Sequence, residues 1–268
     1  MAGGSTQRGR SVTSKVLAIL STFEQSRGSL SLTQIAEEAD LPLSTAHRLV
    51  GELIDEGMLA RGPHGKIQLG LKLWSIAQNT GRQLRDTARP FVQDMYSLTG
   101  HTSQLAIRDG ASSLYIDRVY GPRRVPRASR VGGRLPLHAT AVGKVILAFS
   151  EPWVAEAYLR RDLEAFTPRT KTNPNVLAAE LKTIRENGYA TTLDEIREGA
   201  SSIAVPVYHT GRLGCAIGIV VSSDSVAELP RHLPVLQGTS KRIEEATAHI
   251  PLETLLGAFI GEEPHEME

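Results

Sequence analysis

The run STAHR carries Ser44, Thr45, His47 and Arg48, residue types that can recognise a polyanion or the edge of a base. The planar guanidinium of Arg48 can fork onto the O6 and N7 acceptors of guanine, and Ser44, Thr45 and His47 can donate to phosphates or bases. This chemistry requires that they point the same way. On a helix turning about 100° per residue, Ser44, Arg48, Gly51 and Asp55 share one face, flanked by Thr45 and His47. The opposite face carries Ala46, Leu49, Val50, Leu53 and Ile54. Asp55 and Glu56 sit at the far end, so only the N-terminal half suits a phosphate-walled groove, and Gly51 removes bulk where that wall would pass. Ser44 is also placed to cap the helix. A second basic group, Arg61, His64 and Lys66, surrounds a Gly-Pro-His-Gly turn. There it would bind phosphate in a salt-dependent, sequence-independent way, unless it only keeps the turn soluble.

Several elements must hold these groups. Val12, Val16, Ile19, Leu20 and Phe23 recur at helical spacing and predict a first helix ending near Arg27-Gly28. Ser31, with Gln34 three residues on, is a capping box opening a second helix whose buried stripe is Leu32, Ile35, Ala36 and Ala39. Pro42 breaks the chain because it lacks an amide donor. The third helix then stops at Gly57, and the residues around the Gly-Pro-His-Gly turn predict a short hairpin. Two helices joined by a turn of about four residues and followed by a hairpin form a winged helix-turn-helix over residues 11–70, the layout that sets a helix into the DNA major groove. Double-stranded DNA is the expected partner.

Bulk properties narrow the rest. The 268 residues suffice for two domains with their own cores. With 41% hydrophobic residues and no long apolar run, no membrane partner is expected. A net charge of +1 is uninformative, but the charge is unevenly spread: residues 1–36 carry Arg8, Arg10, Lys15 and Arg27 against Glu24, and the chain closes on EEPHEME. Residues 1–10 read as a disordered basic arm and not a signal peptide, and residues 257–268 as an acidic tail. The lone Cys215 excludes an internal disulfide and fits a cytoplasmic protein.

Leu71, Leu73, Trp74, Ile76 and Ala77 predict a linker helix over residues 71–88. Beyond Arg89-Pro90 a second domain, residues 89–256, alternates helices and strands. A helix through Phe91 to Leu98 is followed by strands at QLAIRD and SSLYIDRVY, a helix from near Ala139 through Phe149, helices at EPWVAEAYL and VLAAELKTIRENG, and strands at SIAVPVY and CAIGIVV that turn at HTGRLG. Catalytic constellations are weak here. ATAVGK around Lys144 lacks the first glycine and the hydroxyl residue of a phosphate-binding loop. His138 and Ser202 could be grouped with Asp194 or Glu195, yet no nucleophile-elbow sequence surrounds Ser202. His101 and His138 lie far in sequence from other ligands, so neither a metal nor a cofactor is expected. Cys215 on an apolar strand reads as a buried small hydrophobe, and His209 as turn chemistry. Arg127, Arg130 and Arg134 near Gly132-Gly133 could draw an anion, pair across an oligomer interface or simply be solvated.

The segments SLTQIAEEADLPLSTAHRLVGELIDEGML, GRLPLHATAVGKVILA and EIREGASSIAVPVYHTGRLGCAIGIV, in this order and spacing, resemble the IclR family of transcriptional regulators from residue 11 to about residue 250. The resemblance implies an α+β architecture whose C-terminal part is a GAF-like effector-binding domain with an antiparallel sheet. It also implies a homodimer or dimer of dimers on a palindromic operator, and a ligand-responsive regulator, more a repressor than an activator, of a catabolic operon. The effector, a small organic acid, would sit between residues 137–143, 199–204 and 215–221. Ala141, Val142 and Ser202 match pocket positions of the family, and Leu137, Ile203, Gly218 and Val220 lie in the same segments. Two departures stand out. Ile67 occupies a wing position where tyrosine is common, and CAIGIVV lacks the serines that members binding small keto acids place on its inner face. Either Ala216, Gly218 and Val220 or Cys215, Ile217, Ile219 and Val221 face inward, and both sets are apolar. The implied effector is larger and more apolar than pyruvate, an aromatic acid. The alternatives are a structural DNA-binding oligomer without effector and an enzyme with an accessory DNA-binding domain.

Overall fold

The computed structural model describes residues 10–26, 28–77, 82–121 and 130–256, so most of the basic arm, the acidic tail and Arg127 lie outside the described residues. The chain divides into two compact units, Met1–Thr80 and Gly81–Glu268.

In the first unit, helices α1 (Val12–Gln25), α2 (Leu32–Glu38) and α3 (Leu43–Asp55) precede a hairpin of β1 (Leu59–Arg61) and β2 (Ile67–Leu69), and α4 (Leu71–Ala77) follows. Local chemistry sets these boundaries. The Ser11 hydroxyl accepts from the Ser14 amide, and Ser31 and Gln34 form the expected reciprocal capping box. Between α2 and α3 the chain turns through Asp40 in the left-handed region, at φ 53°. The core joins Ile19 and Phe23 of α1, Ile35 and Ala39, Leu49, Val50 and Leu53 of α3, and Leu59 and Ile67 of the hairpin. Val12, one of the apolar residues whose spacing marks α1, is 57% exposed. Ile67 is buried and exchanges backbone hydrogen bonds with Leu30, so where tyrosine is common this chain anchors the wing by an aliphatic side chain and a third short strand contact.

In the second unit a six-stranded antiparallel sheet runs in the order β5-β4-β3-β8-β7-β6. Its strands are β3 (Thr102–Asp109), β4 (Ser112–Val119), β5 (Arg134–Pro136), β6 (Ala190–Leu193), β7 (Ala200–His209) and β8 (Arg212–Ser222). Helix α5 (Arg82–Thr99) includes Pro90 and continues past it, across the point where the pattern was expected to change. Its N-terminal part and α4 both fall on the expected linker helix, and residues 78–81 between them lie outside the described residues. Helices α6 (Ala141–Phe149), α7 (Pro152–Leu159) and α8 (Pro174–Asn187) follow in sequence, and after β8 come a 3₁₀ segment (Ser223–His232), α9 (Leu233–Thr247) and α10 (Leu252–Leu256).

Each sheet face has its own core. Leu84, Val92 and Met95 of α5 and Leu236 and Ile243 of α9 pack on Leu105, Ile107, Ile203, Val205, Ile217 and Ile219. Val142, Val145 and Ile146 of α6, with Leu177 and Leu181 of α8, cover the other face over Ala106, Tyr115, Ala204 and Ala216. The central strands β3, β7 and β8 are thus buried on both faces, which explains their continuous apolar runs. Helix α6 lies between the sheet and α7 and α8, so every residue from Ala141 to Ala148 is buried. The β7–β8 turn places Thr210 and Gly211 at φ 49° and 82°, the paired left-handed geometry that matches strand twist in a tight hairpin.

Candidate DNA-reading face and effector face

Helix α3 presents Ser44, His47 and Arg48 to solvent with Thr45 half-buried beside them, while Ala46, Leu49, Val50 and Leu53 are buried on the opposite side. One expectation is corrected: Ser44 does not cap the helix. Pro42 occupies the cap position at φ −55° and ψ 139°, where its fixed φ already suits the extended cap conformation, and no side chain caps α3. Ser44 is the second helical residue, so its backbone amide is among the unpaired donors of the first turn, and these make a helix start attractive to phosphate. Glu52, overlooked in the sequence, forms an i,i+4 ion pair with Arg48. Both side chains are 58% exposed. A pair of that kind is worth about 0.3–0.5 kcal/mol, so Arg48 can trade it for an acceptor on DNA at small cost. In the wing, Arg61, His64 and Lys66 are all exposed around the tip. His64 adopts φ 58°, which keeps the turn tight at the expense of a conformation that non-glycine residues rarely take.

The register and packing of the sheet show which face each β8 side chain takes. Ala216 belongs to the cluster under α6, whereas Cys215, Ile217, Ile219 and Val221 pack toward α5 and α9. Gly218 and Val220 therefore face the same way as Leu137, Ala141 and Val142, which are buried in the α6 cluster. Ser202 pairs with Val220 in the ladder and shares this face. Ile203 does not: it pairs with Ile219 and is buried on the opposite side, because a strand sends successive side chains to opposite faces. Gly218 is dictated by close approach, since a Cβ there would lie 2.6 Å from the Ile203 carbonyl oxygen.

The same register brings in polar residues that no sequence motif marked. One row across the sheet reads Thr192, Ser202, Val220 and Thr102, and the next reads Ala204, Gly218, Gln104 and Arg118. Thr102, Gln104, Arg118, Thr192 and Ser202 are all at most 9% exposed. Thr192 and Ser202 hydroxyls lie 2.6 Å apart, one donating to the other, and the Thr102 hydroxyl accepts the Gly121 amide at 3.1 Å. The Arg118 guanidinium stands 5.2 Å from the Tyr120 ring centroid. The available signal was polar residues at alternate positions of strands too apolar to be edge strands, such as Thr102 and Gln104 in TSQLAI.

Candidate reactive groups on α6 and nearby are committed to packing and ion pairing. Lys144 is completely buried and donates to both Glu195 carboxylate oxygens, at 2.7 and 2.8 Å, and to Glu180 at 3.0 Å. Burial pushes the Glu195 carboxyl up from its ordinary value against the opposing pull of Lys144. Gly143 makes room for α6: a Cβ there would meet the Leu137 carbonyl oxygen at 2.3 Å, so the glycine before the lysine serves packing. His138 Nδ1 lies 2.8 Å from the Tyr158 hydroxyl and Nε2 lies 2.9 Å from the Glu164 carbonyl oxygen. A carbonyl only accepts, so Nε2 carries the proton and Tyr158 donates to Nδ1. Burial lowers the His138 pKa and keeps the ring neutral. Asp194 accepts from the Ser223 hydroxyl and the Gly199 amide. The residues that could be grouped on paper as a triad are thus dispersed among separate contacts. Cys215 is buried with its thiol pKa pushed far up, consistent with a packing role. Among the described residues, no helix is long and apolar enough to cross a membrane.

Comparison with known proteins places both units. Residues 12–63 match the IclR helix-turn-helix domain and residues 77–244 match the bacterial transcriptional regulator IclR C-terminal domain. The HTH-type transcriptional regulator XynR of Escherichia coli is 32% identical over 246 residues, covering 88% of this chain and 96% of that one. The HTH-type transcriptional repressor AllR of Escherichia coli is 31% identical over 227 residues, covering 83% and 84%. An IclR homologue from Microbacterium hydrocarbonoxydans, solved with 4-hydroxybenzoate, superposes with a TM-score of 0.83 at 31% identity, covering 88% of this chain and 98% of that one. The IclR protein of Thermotoga maritima superposes with a TM-score of 0.73 at 29% identity, with the same coverage. With a helix-turn-helix, a wing and an antiparallel effector-domain sheet in place, the chain belongs to the IclR family of transcriptional regulators.

Proposed function

We propose that the protein is a ligand-responsive repressor that reads operator DNA through the start of α3 and senses an aromatic monocarboxylic acid on the α6 face of its sheet. Ser44, Thr45, His47 and Arg48 read or anchor to the major groove, and Arg61, His64 and Lys66 hold the neighbouring phosphates. The repressor reading is supported by the name of the relative AllR, and control of a catabolic operon follows from an organic-acid effector. Leu71, Trp74 and Ile76 of α4 are 83%, 64% and 51% exposed, apolar surface that suits a homodimer on a palindromic site. Its place of work is the cytoplasm.

The buried polar residues Thr102, Gln104, Arg118, Thr192 and Ser202, in two neighbouring rows, carry the effector reading. Strand β8 alone is apolar, as expected, but its neighbours add hydroxyl and amide groups and a cation. Arg118 can pair with a carboxylate, Thr192 and Ser202 can meet a ring substituent, and Leu137, Ala141, Val142 and Val220 offer apolar surface to the ring. The 4-hydroxybenzoate bound by the Microbacterium homologue is a ligand of this chemistry.

Calorimetry of the full chain against 4-hydroxybenzoate, benzoate and pyruvate tests the reading. An aromatic acid should bind more tightly than pyruvate, and Ser202→Leu should abolish the heat. Tighter binding of pyruvate would overturn the aromatic assignment, and no heat from any acid would favour a structural oligomer.

A further inference from the structure

We propose that His101, Glu228 and His232 form a binding site for a divalent transition metal of the zinc type, on the sheet face opposite the effector face. Two segments far apart in sequence meet here: His101 immediately precedes β3, and Glu228 and His232 belong to the 3₁₀ segment that leads into α9. One ligand atom from each of the three residues lies within 4.8 Å of the others. The imidazole rings meet edge to face, with centroids 5.0 Å apart and planes at 81°. This geometry corrects the expectation that His101 lay too far from other ligands.

The chemistry of the three side chains selects the ion. Two imidazoles and one carboxylate make the donor set of many three-ligand zinc sites, with a fourth position left for water, whereas calcium and magnesium favour all-oxygen shells. In a tetrahedral zinc site the ligand atoms stand about 3.4 Å apart, so the cluster must contract by a modest swing of side chains. Glu228 can provide it, because its side chain is 42% exposed at the edge of the site.

A second observation points to a ligand at this place. His232 Nε2 is buried and has no hydrogen-bond partner. Buried polar atoms are nearly always paired, and a lone pair aimed at an ion would account for this one. Glu228 holds Arg231 at 2.7 Å through Oε2, an exposed pair of small worth, so a carboxylate oxygen can ligate without a large loss. The bound ion would tie the start of β3 to the entry of α9, clamping the helix that covers this face of the sheet.

The test is titration of the metal-stripped full-length protein with zinc sulfate, read by calorimetry and by thermal melting. The expected result is about one equivalent per chain bound at micromolar or lower concentration, with a raised melting temperature. His101→Gln and His232→Gln should each weaken binding about tenfold or more and remove the thermal shift, while His249→Gln, an exposed histidine elsewhere, should change neither. Melting of each variant in chelator checks that it is folded. If a variant fails that check, cobalt(II) absorption of the wild-type protein decides, since a tetrahedral nitrogen-and-oxygen site gives strong visible bands and a hexa-aqua ion does not. Binding no tighter than millimolar, binding undiminished in folded His101 and His232 variants, or the spectrum of hydrated cobalt would overturn the proposal.

Discussion

Replacing Lys144 by methionine isolates the ion network that braces the effector face. Methionine retains much of the lysine stem, so it opens little cavity, but it removes the charge facing Glu195, whose side chain is 4% exposed. Removing one partner of a buried pair costs about 3–5 kcal/mol. Lys171 lies 2.7 Å from Glu180 and 3.9 Å from Glu195, with 38% of its side chain exposed, and it compensates in part. The expected loss is therefore about 3 kcal/mol at pH 7.5, measured by urea denaturation. Its pH dependence has a definite sign. Without Lys144 the Glu195 pKa rises further, so between the unfolded value and the raised folded value the folded state binds the extra proton. The variant's deficit should shrink as pH falls from 7.5 toward 5, and Lys144→Met with Glu195→Met should recover most of the loss. A Lys144→Met cost below about 1 kcal/mol, within the range of an exposed pair, or a deficit that does not vary with pH, would refute the reasoning. Glu195 sits on the connection between Thr192 and Ser202, so weaker effector binding should accompany the loss of stability.

Other substitutions separate the two faces. Arg48→Ala should cost about 1–3 kcal/mol of discrimination between a selected duplex and a scrambled one, whereas Lys66→Ala should weaken both equally and reduce the salt slope by about one; fluorescence anisotropy at several salt concentrations distinguishes them. Arg118→Met should weaken an aromatic carboxylate by about 10- to 100-fold while sparing the corresponding aromatic alcohol, and calorimetry with both ligands reads this directly. Because burial lowers the His138 pKa, the folded state binds fewer protons than the unfolded state between the two values. Stability attributable to His138 is then complete above about pH 6.5 and lost as pH falls toward the folded value; His138→Gln should flatten that part of a denaturation profile.

What could be read from the sequence divides by the range of the forces involved. The Ser31–Gln34 capping box and the buried face of α3 depend on neighbours within a turn or two, and the structure has them. The cap assigned to Ser44 failed by a subtle local competition, in which Pro42 fills the extended cap position and starts the helix sooner. Helix α9 went unmarked because Pro234 and Gly238 interrupt its pattern, and it is secured by packing of Leu236 and Ile243 on the sheet. The inward parity of β8 could not be read because both faces of a central strand are buried; only pairing with β3 and β7 decides it. The same long-range pairing moves Ile203 away from Ser202 and gathers Gln104, Arg118 and Thr192 beside it. His101 and His232 meet only when the 3₁₀ segment folds back toward the start of β3.

Coupling between the two functions is the central claim, and DNA binding measured with and without ligand tests it most directly. Duplexes enriched by the purified protein from a random pool provide a DNA probe, and an aromatic acid that binds in calorimetry provides the effector. Saturating acid should lower affinity for the enriched duplex by about 5- to 150-fold, the usual range of allosteric coupling, and Ser202→Leu should leave the affinity high in its presence. An affinity unchanged by saturating effector in the wild-type protein would contradict the account.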